Sequence, residues 1–291
     1  MNNSMISAMV SLGGTQQRLD LLADNLANAN TAGYKSKQAT FEETLTAVKK
    51  QGDKFKLDGR ATPMGIQMGF GSKLSYISQN NKQGNLIETG NKTDLAIQGN
   101  ALFKVSLSEE GPTAYTRGGD FHLQPNPENE EEAYLVNSQG YFVLNEENER
   151  ITVPANGEFN IDPDGNITAL QGDEVVGLGA INVSVVIRPD ALERRDNGLY
   201  VIRADAGLNV NAAGPQGEVR VLEQAVLQNN NTIDPQSSQR AKLQQGVIEN
   251  SNVDISGTMA ELIQVQRTYQ LAARALTSSD NMMNLANNLR G

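Results

Sequence analysis

The sequence predicts an α+β protein in which paired N- and C-terminal helices, of coiled-coil type, bracket an inserted and mostly antiparallel β domain, a sandwich or irregular barrel. Three observations carry that reading. Apolar residues recur at alternating four- and three-residue spacing at both ends of the chain. Between them lie many short runs in which apolar and polar residues alternate. Turn residues separate those runs at the rhythm of an all-β architecture.

Residues 1–34 read as a helix followed by a turn. Met5, Met9, Leu12, Gln16, Leu19, Ala23 and Leu26 form a heptad seam, and Ile6, Ala8 and Leu22 widen it. Gly13-Gly14 weakens the helix by about 1 kcal/mol per residue relative to Ala. Its end is expected near Asn30-Thr31-Ala32-Gly33, where Gly33 can adopt positive φ. Residues 35–85 read as an extended connector with one or two strands, broken by glycines and Pro63; Phe41, Leu45 and Val48 have the spacing of a short helix.

Residues 86–227 read as β. Phe103, Val105 and Leu107 alternate with Lys104 and Ser106, as a half-buried strand does. Runs at 134–136, 141–144, 151–153, 181–187, 199–202 and 219–222 repeat the theme. Asp162-Pro163-Asp164-Gly165-Asn166 is a hairpin turn between two strands. An acidic loop at 126–132 interrupts the domain. Residues 228–255 are a polar linker by composition, and residues 256–291 read as the second helix, with Met259, Leu262, Gln266, Tyr269, Ala273, Leu276 and Met283 on its stripe and Ile263 broadening it.

Composition narrows the function. Hydrophobic residues make up 38% of the 291 residues, lean for one self-sufficient core, so an elongated molecule or one completed by neighbours is expected. With 34 acidic against 24 basic residues the net charge is −10, which disfavours nucleic-acid partners. The chain has no cysteine, excluding disulfides and thiolate metal sites. No stretch is long and apolar enough for membrane insertion, and the first residues lack the pattern of a cleaved signal peptide. No cofactor motif is present: Gly69-Phe70-Gly71 and Gly177-Leu178-Gly179 lack nucleotide-loop spacing, and the Asp162 loop has Gln171 where a calcium loop needs Glu. His122, the one histidine, has no partner motif, so no catalytic residue is assigned.

The end helices carry few charges and many amides, among them Gln16, Gln17, Asn25, Asn28, Gln264, Gln266, Gln270 and Asn284. A solvated helix face usually carries interspersed Lys and Glu. Broad apolar stripes flanked by neutral amides fit helices packed on several sides by other subunits.

The stretch from Leu22 to Lys35, LADNLANANTAGYK, resembles the signature of flagellar basal-body rod and hook proteins. Further blocks are similar to the same family: Gly84 to Phe103, Ala114-Tyr115-Thr116-Arg117-Gly118-Gly119-Asp120-Phe121, Glu249-Asn250-Ser251-Asn252-Val253-Asp254 and Leu262 to Gln270. The order Ser11-Leu12-Gly13-Gly14-Thr15 before Gln16-Gln17 departs from the family pattern. The resemblance implies a non-enzymatic, cofactor-free subunit of the rod, with the hook as the alternative position and a cell-wall-acting enzyme on a flagellar scaffold as the alternative class. It implies export through the flagellar type III apparatus and assembly, outside the cytoplasm, with copies of itself and other rod and hook subunits into a torque-transmitting tube. The assembly interface is assigned to Met5, Met9, Leu12, Leu19, Leu22, Leu26, Asn28, Asn30, Gly33 and Tyr34, and to Met259, Leu262, Ile263, Gln266, Tyr269, Ala273, Leu276 and Met283.

Overall fold

The computed structural model describes residues 2–43, 46–50, 65–69, 72–107, 112–127, 129, 131–155, 158–171, 174–203, 226–234, 237 and 240–289. The chain divides into two units, one formed by Met1–Ala29, Ser36–Asn80 and Val253–Gly291, the other by Asn30–Lys35 and Asn81–Asn252.

The first unit contains both helices. Helix α1 spans Asn2–Ala27 and α2 spans Ile255–Asn288, and they pack along one another. Asp254 caps α2, its Oδ1 accepting from the Gly257 N–H at 3.1 Å. Strands β1 (Lys37–Glu43) and β4 (Ser72–Gln79) form an antiparallel ribbon that packs on α1, with Ala39 opposite Ile77 and a register shift at Thr40/Phe41. Strands β2 (Thr46–Lys50) and β3 (Gly65–Gly69) pair with each other. The helix expected around Phe41 and Val48 is therefore replaced by strand: Phe41 lies in β1 and Val48 in β2. Cross-strand pairing outweighs a three-residue apolar spacing that no cap supports.

The second unit is β throughout, and all its strand pairings are antiparallel among the described residues. In chain order its strands are β5 (Leu86–Glu88), β6 (Leu95–Gln98), β7 (Ala101–Ser106), β8 (Thr113–Thr116), β9 (Phe121–Pro125), β10 (Glu132–Asn137), β11 (Phe142–Val143) and β12 (Thr152–Pro154). They continue with β13 (Glu158–Ile161), β14 (Asn166–Gln171), β15 (Glu174–Ala180), β16 (Val183–Val186), β17 (Leu192–Arg194), β18 (Leu199–Ile202), β19 (Leu227–Asn229), β20 (Lys242–Gln245) and β21 (Val247–Glu249). A large sheet runs β12-β10-β11-β7-β8-β18-β17, with β16 joining β7 and β19, and β9 joining β10; β13, β14 and β15 make a second sheet.

The hairpin predicted at 162–166 is present: Ile161 faces Ile167, Gly165 takes φ +94°, and its N–H donates to Asp162 O at 2.8 Å. The core gathers Phe103, Leu135, Val143, Phe159, Ile167 and Ile181, and Phe103 meets Phe121 edge-on at 5.1 Å. Strand β7 departs from the alternation read in the sequence. All six of its residues are buried, Lys104 and Ser106 included, because β7 is interior to the sheet and covered on both faces. The stretch 228–255, polar in composition, contributes β20 and β21, which pair with β6 and β5. The strand expected at 219–222 lies outside the described residues.

Candidate functional site

Helix α1 has two characters. Leu22 is buried and Met5, Leu12, Leu19 and Leu26 are half-buried, on the sides that meet α2 and the β1–β4 ribbon. Gly14 is buried too, because a Cβ there would stand 2.9 Å from the Ser72 carbonyl oxygen of β4. The remaining side is a continuous exposed row of Ile6, Met9, Gly13, Gln16, Gln17, Asp20, Ala23 and Ala27, with Met9 56% exposed. That row holds one charge.

Helix α2 divides the same way. Val265 is buried, and Leu262, Ala272, Ala273, Leu276 and Met283 are half-buried. Ile255, Met259, Ile263, Gln266, Tyr269, Leu271, Met282 and Leu285 are exposed, Leu271 at 64%. Arg18 of α1 and Glu261 of α2 form an ion pair, and the Arg18 guanidinium also lies 5.9 Å from the Phe41 ring centre. Of the residues assigned to assembly, Met9, Met259, Ile263, Gln266 and Tyr269 thus face solvent in the isolated chain, whereas Leu22 and the half-buried leucines serve the contact within it.

The signature segment after α1 is built differently. The Asn25 side chain clamps the backbone of Lys37, donating to its carbonyl and accepting from its N–H, both at 2.8 Å. Asn28 Nδ2 donates to Asp24 O at 2.8 Å, a carbonyl that also accepts from the Asn28 N–H at 3.2 Å. Asn30 is exposed. Gly33 adopts φ +67° and its N–H donates to Glu249 O at 2.8 Å; a Cβ there would fall 2.5 Å from the Arg117 carbonyl carbon. Tyr34 is 3% exposed within the β unit, with the Arg194 guanidinium 4.4 Å from its ring centre.

Beside Tyr34 lies a buried charge cluster. Lys35 Nζ donates to Glu249 Oε1 at 2.6 Å and to Lys82 O at 2.8 Å. Arg117 Nε donates to Glu249 Oε2 at 2.7 Å, and its terminal nitrogens reach Ile97 O at 2.7 Å and Ala101 O. The Gly84 N–H completes the set, donating to Glu249 Oε1 at 2.9 Å. One acid therefore stands between two cations. Burial alone would raise the Glu249 carboxyl, but Arg117, Lys35 and the Gly84 N–H outweigh it and hold it below the usual carboxylate range. Burial lowers the Lys35 ammonium, because the carboxylate it shares with Arg117 only partly offsets desolvation. The roles of Lys35, Arg117 and Glu249 were not evident in the sequence, although each lies in one of the blocks that resemble the family.

The other residues singled out in the sequence lie apart from this cluster and from one another. His122 is exposed on β9 opposite Val136. Asp164 pairs with Arg240 at 2.8 Å at the hairpin turn. In the described part of the acidic loop Glu132 N–H donates to Asn129 O at 3.1 Å. A cleft of about 540 Å³ near Phe159, Thr168, Val175 and Gln245 has Lys92 as its one ionisable lining group among the described residues. No group of three or more His, Asp and Glu able to hold a metal occurs among the described residues.

Three family models match the chain. One described as "Flagella basal body rod protein" matches residues 7–35, one described as "Flagellar hook protein FlgE/F/G D1 domain" matches residues 96–169, and one described as "Flagellar basal body rod FlgEFG protein C-terminal" matches residues 244–289. Each matched region supplies one member of the charge cluster: Lys35, Arg117 and Glu249 respectively. The chain is 31% identical to the flagellar basal-body rod protein FlgG of Borreliella burgdorferi, over 100% of this chain and 99% of that protein. It is 31% identical to the flagellar hook-basal body complex protein FlhP of Bacillus subtilis over the whole of both chains. Identity to the FlgG of Buchnera aphidicola subsp. Baizongia pistaciae is 28%, over 95% of each. With full-length similarity at this level and matches at both helices and in the β unit, the chain belongs to the flagellar basal-body rod and hook protein family.

Proposed function

We infer that the protein is a structural subunit of the flagellar basal-body rod that polymerises through its terminal helices into a tube transmitting torque. The observation that carries this reading is the pair of exposed rows left after α1 and α2 have paired: Ile6, Met9 and the amides of α1, and Met259, Ile263, Leu271, Met282 and Leu285 of α2. Apolar side chains that remain in water after the intrachain contact is complete gain about 25 cal/mol per Å² when a neighbour covers them. Neutral amides beside them can be buried without the cost of desolvating ions.

In this reading α1 and α2 act as a coiled-coil pair, further copies and other rod and hook subunits cover their outer rows, and the β unit is a sandwich or irregular barrel outside the tube wall. A contact of one patch with a different patch, repeated without closing, yields an open filament. The subunit reaches the extracytoplasmic basal body through the type III export apparatus, takes no cofactor, and performs no catalysis. The hook is the alternative position within the family.

The test is a pair of charge insertions in the outer rows, Met9→Glu and Ile263→Glu. Each should leave the purified monomer within about 0.5 kcal/mol of wild type, as expected of a surface change. Each should abolish motility and remove the protein from purified basal bodies. Normal rods built from either variant would exclude the outer rows as the assembly surface, and wild-type protein located in isolated hooks would move it to the hook.

A further inference from the structure

The segment Asn30–Lys35 belongs to the β unit yet contributes no strand to it. Its backbone is joined to the rest of the unit by hydrogen bonds from Gly33 N to Glu249 O at 2.8 Å and from Asn252 N to Tyr34 O at 3.4 Å. Side chains do the rest: Tyr34 under Arg194, and Lys35 in the charge cluster. Within that cluster the side chains of Lys35, Arg117 and Glu249 are only 8%, 4% and 2% exposed. Glu249 is the one carboxylate that both cations share there, and it reaches three stretches of chain at once through Lys35, Gly84 and Arg117.

The two cations are not equivalent. Arg117 also donates to the carbonyls of Ile97 and Ala101, so it stays satisfied on the β6–β7 connection without Glu249. Among the described residues Lys35 would keep only the Lys82 carbonyl, and it sits on a short segment that forms no strand. An ammonium stripped of its counter-ion and facing a guanidinium in a buried site is strongly disfavoured, and removing one partner of a buried pair costs far more than the pair contributes. Lys35 can relieve that cost by lifting its segment into water, which Arg117, directly after β8 and tied to the Ile97 and Ala101 carbonyls, cannot do.

We propose that Lys35, Arg117 and Glu249 form an internal latch that holds Asn30–Lys35 on the β unit as a separately releasable segment, with Glu249 as its keystone. Closed, the latch fixes the chain that follows α1 to the β unit. Open, it turns that stretch into a loose tether while the β unit stays folded. Gly33 belongs to the latch, because any side chain there would meet the Arg117 backbone.

Hydrogen exchange on the full-length monomer tests this, read at the Gly33 and Asn252 amides and, as an internal control, at core amides of β7 and β10. Glu249→Gln should speed exchange at Gly33 and Asn252 on the order of a hundredfold, with the core amides unchanged. Trypsin should then cut after Lys35 where it does not in the wild type. Adding Lys35→Met to Glu249→Gln removes the stranded cation and should bring both amides back to within about tenfold of wild type. Unchanged exchange at Gly33 in Glu249→Gln, loss of core protection together with the segment, or a double variant no better protected than the single would each overturn the latch.

Discussion

Helix α1 leaves Ile6 and Met9 in water, whereas the segment that follows it takes a tyrosine and a lysine out of water. Two stretches near the N-terminus thus use burial in opposite ways. On α1 and α2 the intrachain contact consumes about half of each apolar stripe and leaves neutral, weakly hydrated rows on the other side. At Gly33-Tyr34-Lys35 the partners are all within the chain, and charge is buried because its counter-charge is fixed in place. An ion pair needs geometry that is already settled, since misplacement by an ångström leaves a desolvated charge. An apolar row tolerates a partner that arrives later, because dispersion and area burial are non-directional. The comparison teaches where to expect rigidity before assembly and where to expect adhesion during it.

The largest effect should come from the interior of the β unit. Phe103 is fully buried and stacks edge-on with Phe121. Phe103→Ala should cost about 3–5 kcal/mol in urea denaturation, the usual loss for a buried aromatic. The contrasting change is Leu271→Ala on the outer row of α2, which should shift the monomer by less than about 0.5 kcal/mol while weakening polymerisation. Equal losses in the two variants would erase the distinction between core and adhesive face.

Much of this was legible in the sequence, unevenly. The heptad spacing of Met5, Met9, Leu12 and Leu19 located α1, and the Asp162–Asn166 turn located a hairpin to the residue, because both signals are local. The division of each stripe into an inner and an outer half was not legible, since periodicity marks apolar residues without saying which partner covers them. Composition also hid β20: Lys242-Leu243-Gln244-Gln245 is polar, but its partner β6 lies some 145 residues earlier and is almost wholly buried. The charge cluster escaped for the same reason. Lys35, Arg117 and Glu249 are far apart in sequence, and only the fold brings them within hydrogen-bond distance.

Acid should probe the latch selectively. The Glu249 carboxyl is held below its ordinary value in the folded chain, so the folded state binds fewer protons there than the unfolded state. Its contribution is therefore complete above the ordinary value of 4.5 and is lost as pH falls through 4.5 and then through the lower folded value. Lys35, Arg117, Arg194 and Tyr200 are the charged and titratable groups that face the site. Exchange protection at the Gly33 amide in wild type and Glu249→Gln should converge as the medium is acidified from pH 6, and a gap that stays constant would mean that Glu249 is not the titrating group.

The smallest effects concern two adjacent glycines and separate packing within the chain from packing between chains. Gly14 faces β4, where a methyl group would meet the Ser72 carbonyl at 2.9 Å. Gly14→Ala should therefore lose about 1 kcal/mol net, the backbone shift outweighing the gain in helix propensity. Gly13 points the other way, with nothing within 4 Å of where its Cβ would be. In the monomer Gly13→Ala should gain up to about 1 kcal/mol from propensity alone, seen as a rise in Tm. A glycine that weakens its own helix on an exposed face is explained if a neighbouring backbone must come close there, as it does at Gly14. Motility then decides the matter: a more stable Gly13→Ala subunit that assembles poorly places a neighbouring copy against this face of α1, and one that assembles normally leaves that position outside the contact.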